Sequence, residues 1–581
     1  MATATKETPR YREVDVRKER GAHFTPAPLA DFVADQILSI AGFGEGKSFI
    51  RILDPAVGDG GLLLSLVRRF PTTQAGLPEI HGFETDPESL ATARSRLQRA
   101  FPDYPLSLKH GDFLEFALDR FGEPDLFRCS EGSEDPFDLL IANPPYVRTQ
   151  VMGATQAQLL ARRFGLTGRV DLYHAFINAM ALVLRPGGTA GIIVSNRFMT
   201  TKSGSSVRRS ILEQFDVIHV WDLGDTRLFA AAVLPAVLLL RKKEGRRRKT
   251  ISARFTSVYS SDSDGPARKR PNLVEALQGS GLVEMENGHR FLVQHGALHR
   301  DDALEGIWRI STRSSSGWLG QVESGAWGVF GDIGKIHVGV KTTADRVFIR
   351  SDWERFPEDE RPELLRPLTT HHVACRFKAL RLQDRKQILY PHHSIDGRCV
   401  SADLRLYPRA AKYLSKHRGA LESREYLRKA RRNWYEIWVP QDPDAWGQPK
   451  IVFRDIVDEP TFWIDLEGSV VNGDCYWLAC RNGNETDLLW LALAVGNSTF
   501  LSKFYDYRFH NKLYAGRRRF MTQYVEKFPL PDPESDAGRL LIEMAKTIYH
   551  LSPSEEGNHL QQDLDRQVYS AFGLQIEEVP R

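Results

Sequence analysis

Cysteine is scarce: Cys129, Cys375, Cys399, Cys475 and Cys480 are the only five in 581 residues, and no two are spaced as Cys-x-x-Cys. That excludes a disulfide framework and a thiolate zinc site, and no metal centre is expected. Adjacent histidines at His371-His372 and His392-His393 do not replace one, because neighbours on a helix or strand point in different directions. Net charge is nearly absent as well. The 78 Lys+Arg against 74 Asp+Glu leave +4, so affinity for a polyanion has to come from a local patch. Also missing are an apolar core in the charge-crowded segment Met1 to Arg20 and an internal repeat of about 20 to 50 residues. The longest apolar stretch, Val217 to Leu240, is interrupted by Asp222, Asp225 and Arg227, so it reads as two strands and a loop rather than a membrane span. A cytoplasmic protein with no membrane anchor is expected.

What is present is ample material for packed cores, with 42% hydrophobic and 26% charged residues. The length requires more than one core. Residues 1–250 alternate strand and helix patterns, and residues 251–581 do not. The charge run Arg241 to Lys249 and the Ser/Asp/Gly/Pro-rich stretch Ser260 to Asn272 mark the change, so a domain boundary near residue 250 is expected.

The most informative stretch is Phe137-Asp138-Leu139-Leu140-Ile141-Ala142-Asn143-Pro144-Pro145-Tyr146, an apolar strand running into Asn-Pro-Pro-Tyr. Two prolines remove two backbone donors and fix φ twice, so the strand ends there in a rigid group of acceptors. The Asn143 side-chain oxygen and the Pro144 carbonyl can each accept a hydrogen bond, and Tyr146 offers an aromatic face. That combination suits a planar amine. Such a nitrogen is a poor nucleophile because its lone pair is delocalised, and two acceptors gripping both N–H bonds turn the lone pair out of the plane while the ring clamps by stacking.

Upstream, Ile50 to Asp54 is a short strand, and Asp54-Pro55-Ala56-Val57-Gly58-Asp59-Gly60-Gly61 is a glycine-rich turn before the helix Leu62 to Arg69. The next strand ends at Glu84, where dinucleotide folds place the acid that holds ribose hydroxyls. The one after ends at Gly111-Asp112-Phe113, a carboxylate for an adenine amino group and a ring to stack on it. A helix is expected from Asp171 to the stop at Arg185-Pro186-Gly187-Gly188, then strands at Gly191 to Asn196, Val217 to Leu223 and Pro235 to Leu240, with Phe229 in the loop before the last. Farther on, Ile333 to Ile349 and Lys450 to Trp463 suggest strands. Ala402 to His417, Asp487 to Phe504, Ala537 to Leu551 and Leu560 to Phe572 suggest helices. Arg517, Arg518 and Arg519 lie in a segment with Lys503, Arg508, Lys512 and interleaved aromatics, the local basic patch, and contact with nucleic-acid phosphates is expected of them.

Together these residues resemble the gamma-class, TaqI-like adenine-specific DNA methyltransferases of restriction-modification systems. The likeness runs from Gly21 to about residue 242 in family order. It implies a Rossmann-like α/β methyltransferase domain followed by an α+β target-recognition domain. It implies S-adenosylmethionine held by Thr25, Asp54, Ala56, Gly58, Gly60, Glu84, Asp112, Phe113 and Asn143. It further implies an adenine flipped from double-stranded DNA, with Tyr146 and Phe229 on its ring and Asn143 and Pro144, backed by Pro145, at its amino group. A monomer is expected, with a separately encoded restriction endonuclease or other defence proteins as partners. Three other readings stay open at this stage: cytosine N4 as acceptor, an RNA base or protein glutamine as substrate, and a non-catalytic DNA-binding defence subunit.

Overall fold

The computed structural model describes residues 25–42, 50–71, 76–122, 134–146, 154–166, 171–226, 228, 234–245, 252–300, 306–380, 385–481, 486–509, 517–552 and 554–575. It divides into two compact units, Met1–Arg313 with Leu513–Gly516, and Ser314–Lys512 with Arg517–Arg581.

In the first unit, short apolar strands alternate with amphipathic helices. The strands are β1 (Arg51–Asp54), β2 (Glu79–Glu84), β3 (Leu106–His110), β4 (Phe137–Ala142), β5 (Leu184–Ser195), β6 (Phe215–Asp222) and β7 (Pro235–Lys242). The helices are α1 (Ala27–Ile40), α2 (Gly61–Arg69), α3 (Pro87–Ala100), α4 (Phe113–Phe121), α5 (Ala154–Arg163), α6 (Leu172–Val183) and α7 (Ser205–Gln214). The strands lie in the order β3-β2-β1-β4-β5-β7-β6, with β1 to β5 parallel and β7 antiparallel to both β5 and β6. Helices α1, α2 and α3 pack on one face, and α4, α6 and α7 on the other. Covered on both sides, β4 is buried at every position, which is why it reads as an unbroken apolar run. Helix α6 passes into β5 without a loop. The expected stop at Arg185 to Gly188 therefore lies inside the strand, with Gly187 at φ 74°.

The sheet does not end at β6. Strand β8 (Arg254–Ser260) pairs in parallel with β6, and β9 (Arg268–Arg270), β10 (Gly281–Met285), β11 (Arg290–Arg300) and β12 (Trp308–Ser311) complete twelve strands. The boundary expected near residue 250 therefore falls at Arg313, because the segment after the charge run extends the first sheet rather than founding a new core.

The second unit is α+β. Its five-stranded sheet is built from Ile336–Val338, Cys475–Leu478, Lys450–Arg454, Phe462–Asp465 and Phe377–Lys378, and a four-stranded one accompanies it. Trp353, Trp446, Trp463 and Trp477 fill its core. The apolar run Ile333 to Ile349 is split between a strand and the short helix Asp345–Phe348. The expected helix Asp487 to Phe504 is two, Thr486–Gly496 and Thr499–Phe509, separated at Asn497-Ser498. Asp536–Leu551 and Glu555–Ala571 are the closing helices.

One charged residue interrupts the apolar run of β4. Asp138, 3% exposed, accepts the Arg51 backbone N–H at 3.0 Å and pairs with Arg185 Nε, tying together the starts of β1, β4 and β5. Replacing it with alanine leaves both donors without their acceptor, so Asp138→Ala should cost about 3 kcal/mol. Urea unfolding of the full chain measures this, and a loss below about 1 kcal/mol would show that the strand ends are held by other contacts.

Candidate active site

The carboxyl ends of β1, β2, β3 and β4 carry the side chains singled out above. At the end of β1, Asp54 is fully buried; its Oδ1 accepts the Ala56 N–H at 2.9 Å, while Oδ2 accepts nothing among the described residues. The turn that follows needs left-handed backbone at Gly58 (φ 55°) and Gly60 (φ 81°), which only glycine adopts without strain. A Cβ at Gly60 would sit 3.1 Å from Ala93 Cβ, so the turn also lies close against α3. Glu84 at the end of β2 locks this loop: Oε2 accepts the Gly58 N–H at 2.9 Å and Oε1 the N–H groups of Thr85 and Asp86, both at 2.8 Å. Burial pushes the Asp54 carboxyl up to about 8; the Ala56 N–H opposes this, and the neighbouring charges of Glu84 and Asp59 add to it. Asp112, exposed at the end of β3, caps α4 by accepting the Leu114 N–H at 2.7 Å. A buried carboxyl oxygen without a donor, beside two further acids and a glycine turn, suits a ligand that brings hydrogen-bond donors and positive charge.

At the end of β4, the Asn143 amide is held from both sides. Its Nδ2 donates to Thr25 Oγ1 at 3.1 Å, and its Oδ1 accepts the Tyr146 hydroxyl at 2.9 Å. The segment entering α1 thus reaches the Asn-Pro-Pro-Tyr turn across 118 positions of sequence. The Tyr146 ring meets Tyr173 edge-on at 6.4 Å, and Tyr173 packs edge-on against His174 at 4.4 Å. Both are buried. Burial raises the Tyr173 hydroxyl well above its usual range and holds His174 down to about 3, so neither titrates near neutrality. Tyr173 and His174 were not singled out from the sequence; the signal was the pair of aromatics opening α6.

Two expectations meet a different setting, and a third lies outside the described residues. Phe113 is 1% exposed, with its ring against Phe83 and Phe176 at 5.7 Å each, so it belongs to the core rather than to an open stacking face. Phe229 lies outside the described residues. The three arginines expected to meet phosphates each hold an aspartate: Arg517 pairs with Asp458 at 3.1 Å, Arg518 with Asp506 through two bonds of 2.8 Å, and Arg519 with Asp455 at 3.1 Å. Two of the three partners, Asp455 and Asp458, lie outside that basic segment, and the fold delivers them from another strand region.

A Rossmann-like sheet of this order, with an acidic glycine loop beside an Asn-Pro-Pro-Tyr turn, defines an S-adenosylmethionine-dependent methyltransferase. Residues 80–229 match the Eco57I restriction-modification methylase family, and residues 405–530 match the TaqI-like C-terminal specificity domain. The type II methyltransferase M.BanIII of Aneurinibacillus aneurinilyticus is 38% identical over 575 residues, spanning 96% of this chain and 98% of that protein. The chain therefore belongs to the type II methyltransferases of restriction-modification systems, enzymes of site-specific DNA methylation whose methyl donor is S-adenosylmethionine. A tRNA1(Val) (adenine(37)-N6)-methyltransferase of Shewanella sediminis is 28% identical over 236 residues, 40% of this chain and 81% of that protein. Among solved structures, the type IIL restriction-modification enzyme MmeI in complex with DNA has the same fold, with a TM-score of 0.56 at 14% identity, covering 94% of this chain and 73% of that one. No described helix is long and apolar enough to cross a membrane.

Asp54 makes stability depend on pH. Its folded value of about 8 lies above the ordinary 3.8, so the folded state binds the proton more tightly between those values and loses stability as pH rises through that window. The slope it contributes is at most about 1.4 kcal/mol per pH unit. Asp54→Asn keeps the shape without the charge, so thermal melts at pH 5 and pH 8 should show a smaller loss in the variant than in the parent. Equal losses would show that Asp54 is ionised in the folded protein throughout.

Proposed function

We propose that the chain transfers the methyl group of S-adenosylmethionine to the N6 amino group of an adenine turned out of duplex DNA. The observation that carries this reading is the Asn143 amide held between Thr25 and Tyr146 at the end of a strand that two prolines terminate. An amide oxygen accepts two hydrogen bonds. Asn143 Oδ1 can therefore take one N–H of the target amine while the Tyr146 hydroxyl shares or cedes its place, and the Pro144 carbonyl takes the other. Because Thr25 Oγ1 accepts from Nδ2, the oxygen rather than the nitrogen is turned to the amine. Tyr146, braced by Tyr173, offers its ring to the extruded base.

The residues around the glycine turn fit the cofactor. Asp54 supplies an unsatisfied buried oxygen for a cationic group, Glu84 a carboxylate that backbone N–H groups orient, and Asp112 an exposed acceptor. Bound there, S-adenosylmethionine supplies an electrophilic methyl group on a sulfonium. Asn143 and Pro144 would hold the two N–H bonds of the amine while its nitrogen takes that methyl group, and the nitrogen would then release one proton to solvent. Adenine as acceptor is supported by the tRNA adenine-N6 relative, whose likeness covers 40% of this chain.

Asn143 is assigned to the transition state, so Asn143→Ala should lower kcat by at least about 100-fold and leave S-adenosylmethionine affinity within about threefold by calorimetry. Full activity in the variant would end the assignment. Expression in a methylation-free host, with modified bases mapped by single-molecule sequencing, should reveal N6-methyladenine at one recurrent sequence. N4-methylcytosine would change the target base, and unmodified DNA would overturn the reading.

A further inference from the structure

Of the six described non-glycine residues at positive φ, all in the second unit, three lie on segments joined by hydrogen bonds. The short helix Glu425–Lys429 ends in both hydrogen bonds of a Schellman cap, Arg432 N–H to Leu427 O and Arg431 N–H to Arg428 O, each 3.0 Å. The position between them needs a left-handed backbone and normally carries glycine. Here it carries Arg431, at φ 55°. Thr343, a β-branched residue at φ 59°, is joined to the same helix through its Oγ1, which takes the Tyr426 hydroxyl. Gln441, at φ 64°, donates to Val338 O at 2.7 Å. Three non-glycine residues in a conformation that side chains disfavour are thus gathered on neighbouring segments, and strain of this kind marks sites where the side chain matters more than the backbone.

The frame beneath them is rigid. Lys341 and Val439 exchange two backbone hydrogen bonds of 3.0 and 3.1 Å. Arg424, 6% exposed, donates to the carbonyls of Thr342, Leu421, Trp434 and Glu436 at 2.6 to 3.0 Å, fastening the loop before Thr343 to the loop after the helix. Nearby cations are partly spent: Lys429 pairs with Glu425 and Arg432 with Glu436. Lys341, Arg428 and Arg431 are exposed and meet no acid among the described residues, in contrast to Arg517, Arg518 and Arg519.

We propose that this surface reads bases in the recognition sequence, with Arg431 directing its guanidinium to the O6 and N7 edge of a guanine and Lys341 and Arg428 meeting the flanking phosphates. The inference rests on the reading of the chain as a site-specific DNA methyltransferase. A guanidinium is a planar fork that fits the two acceptors of guanine, and a base-reading side chain must be presented from a backbone that does not move. The left-handed cap residue meets the second need, because its φ is fixed by the two cap hydrogen bonds.

Arg431→Gly separates reading from structure. Glycine is favoured at this cap position, so the variant should melt at the same temperature or higher. With the parent's methylated sequence mapped, kcat/KM is measured on duplexes carrying that sequence and each single base-pair change. In the variant, discrimination at one G·C pair should fall by about 10- to 100-fold while the other positions keep theirs. Arg431→Lys, which keeps the charge and loses the fork, should lose most of the same discrimination. An unchanged ranking of all sites, with uniformly weaker binding and a shallower salt dependence, would make Arg431 a phosphate contact and overturn the inference. A lower melting temperature with unchanged ranking would make it structural and overturn it too. Both results leave the parent methylating DNA, whereas a parent that modifies no DNA overturns the functional reading itself.

Discussion

Every residue of β4 is buried, and the strand cannot lengthen because two prolines follow its last turn of apolar sequence. The site depends on that pair of constraints. Flanked by β1 and β5 and covered by helices on both faces, β4 cannot shift along its axis, and Asp138 fixes its beginning to the same two neighbours. Asn143 is delivered at a set height above the sheet, where the segment that begins α1 can meet it through Thr25. The glycine turn after β1 is set by the same register, since Glu84 at the end of β2 closes on Gly58. The glycine turn and the Asn-Pro-Pro-Tyr turn are therefore held by one piece of parallel sheet.

Much of this was legible because the signals are local. A buried parallel strand shows as a continuous apolar run, glycines show where the backbone turns left-handed, and acids recur at strand ends. Asn143 to Tyr146 needed nothing beyond their own order. What was not legible depends on partners brought from elsewhere. Arg517, Arg518 and Arg519 looked like a surplus of charge because Asp455 and Asp458 are distant in sequence, yet the short strands Ile456–Val457 and Arg518–Arg519 pair and bring the opposite charges together. Phe113 looked available because it follows the capping Asp112, but the first residue of an amphipathic helix can face inward, and here it meets Phe176 of α6. The extension of the sheet beyond β6 was hidden for another reason: a run of charge and a stretch rich in serine and glycine look the same whether they separate domains or connect strands of one sheet. Arg431 was invisible to composition, since only its φ in the folded chain distinguishes a strained arginine from an ordinary one.

The continuation of that sheet has a further consequence. Strand β6 is eight residues long and mostly apolar, and left at the rim it would present a row of unpaired backbone groups to any extended chain that drifted near. Strand β8 covers it, and the path of strands then closes on β9, three residues long and composed only of Arg268, Lys269 and Arg270. A rim this short repels a like-charged neighbour and has too few backbone groups to hold a foreign strand. An enzyme whose work requires a wide parallel sheet, slow to assemble and prone to pairing with copies of itself while it forms, has finished that edge with three positive charges.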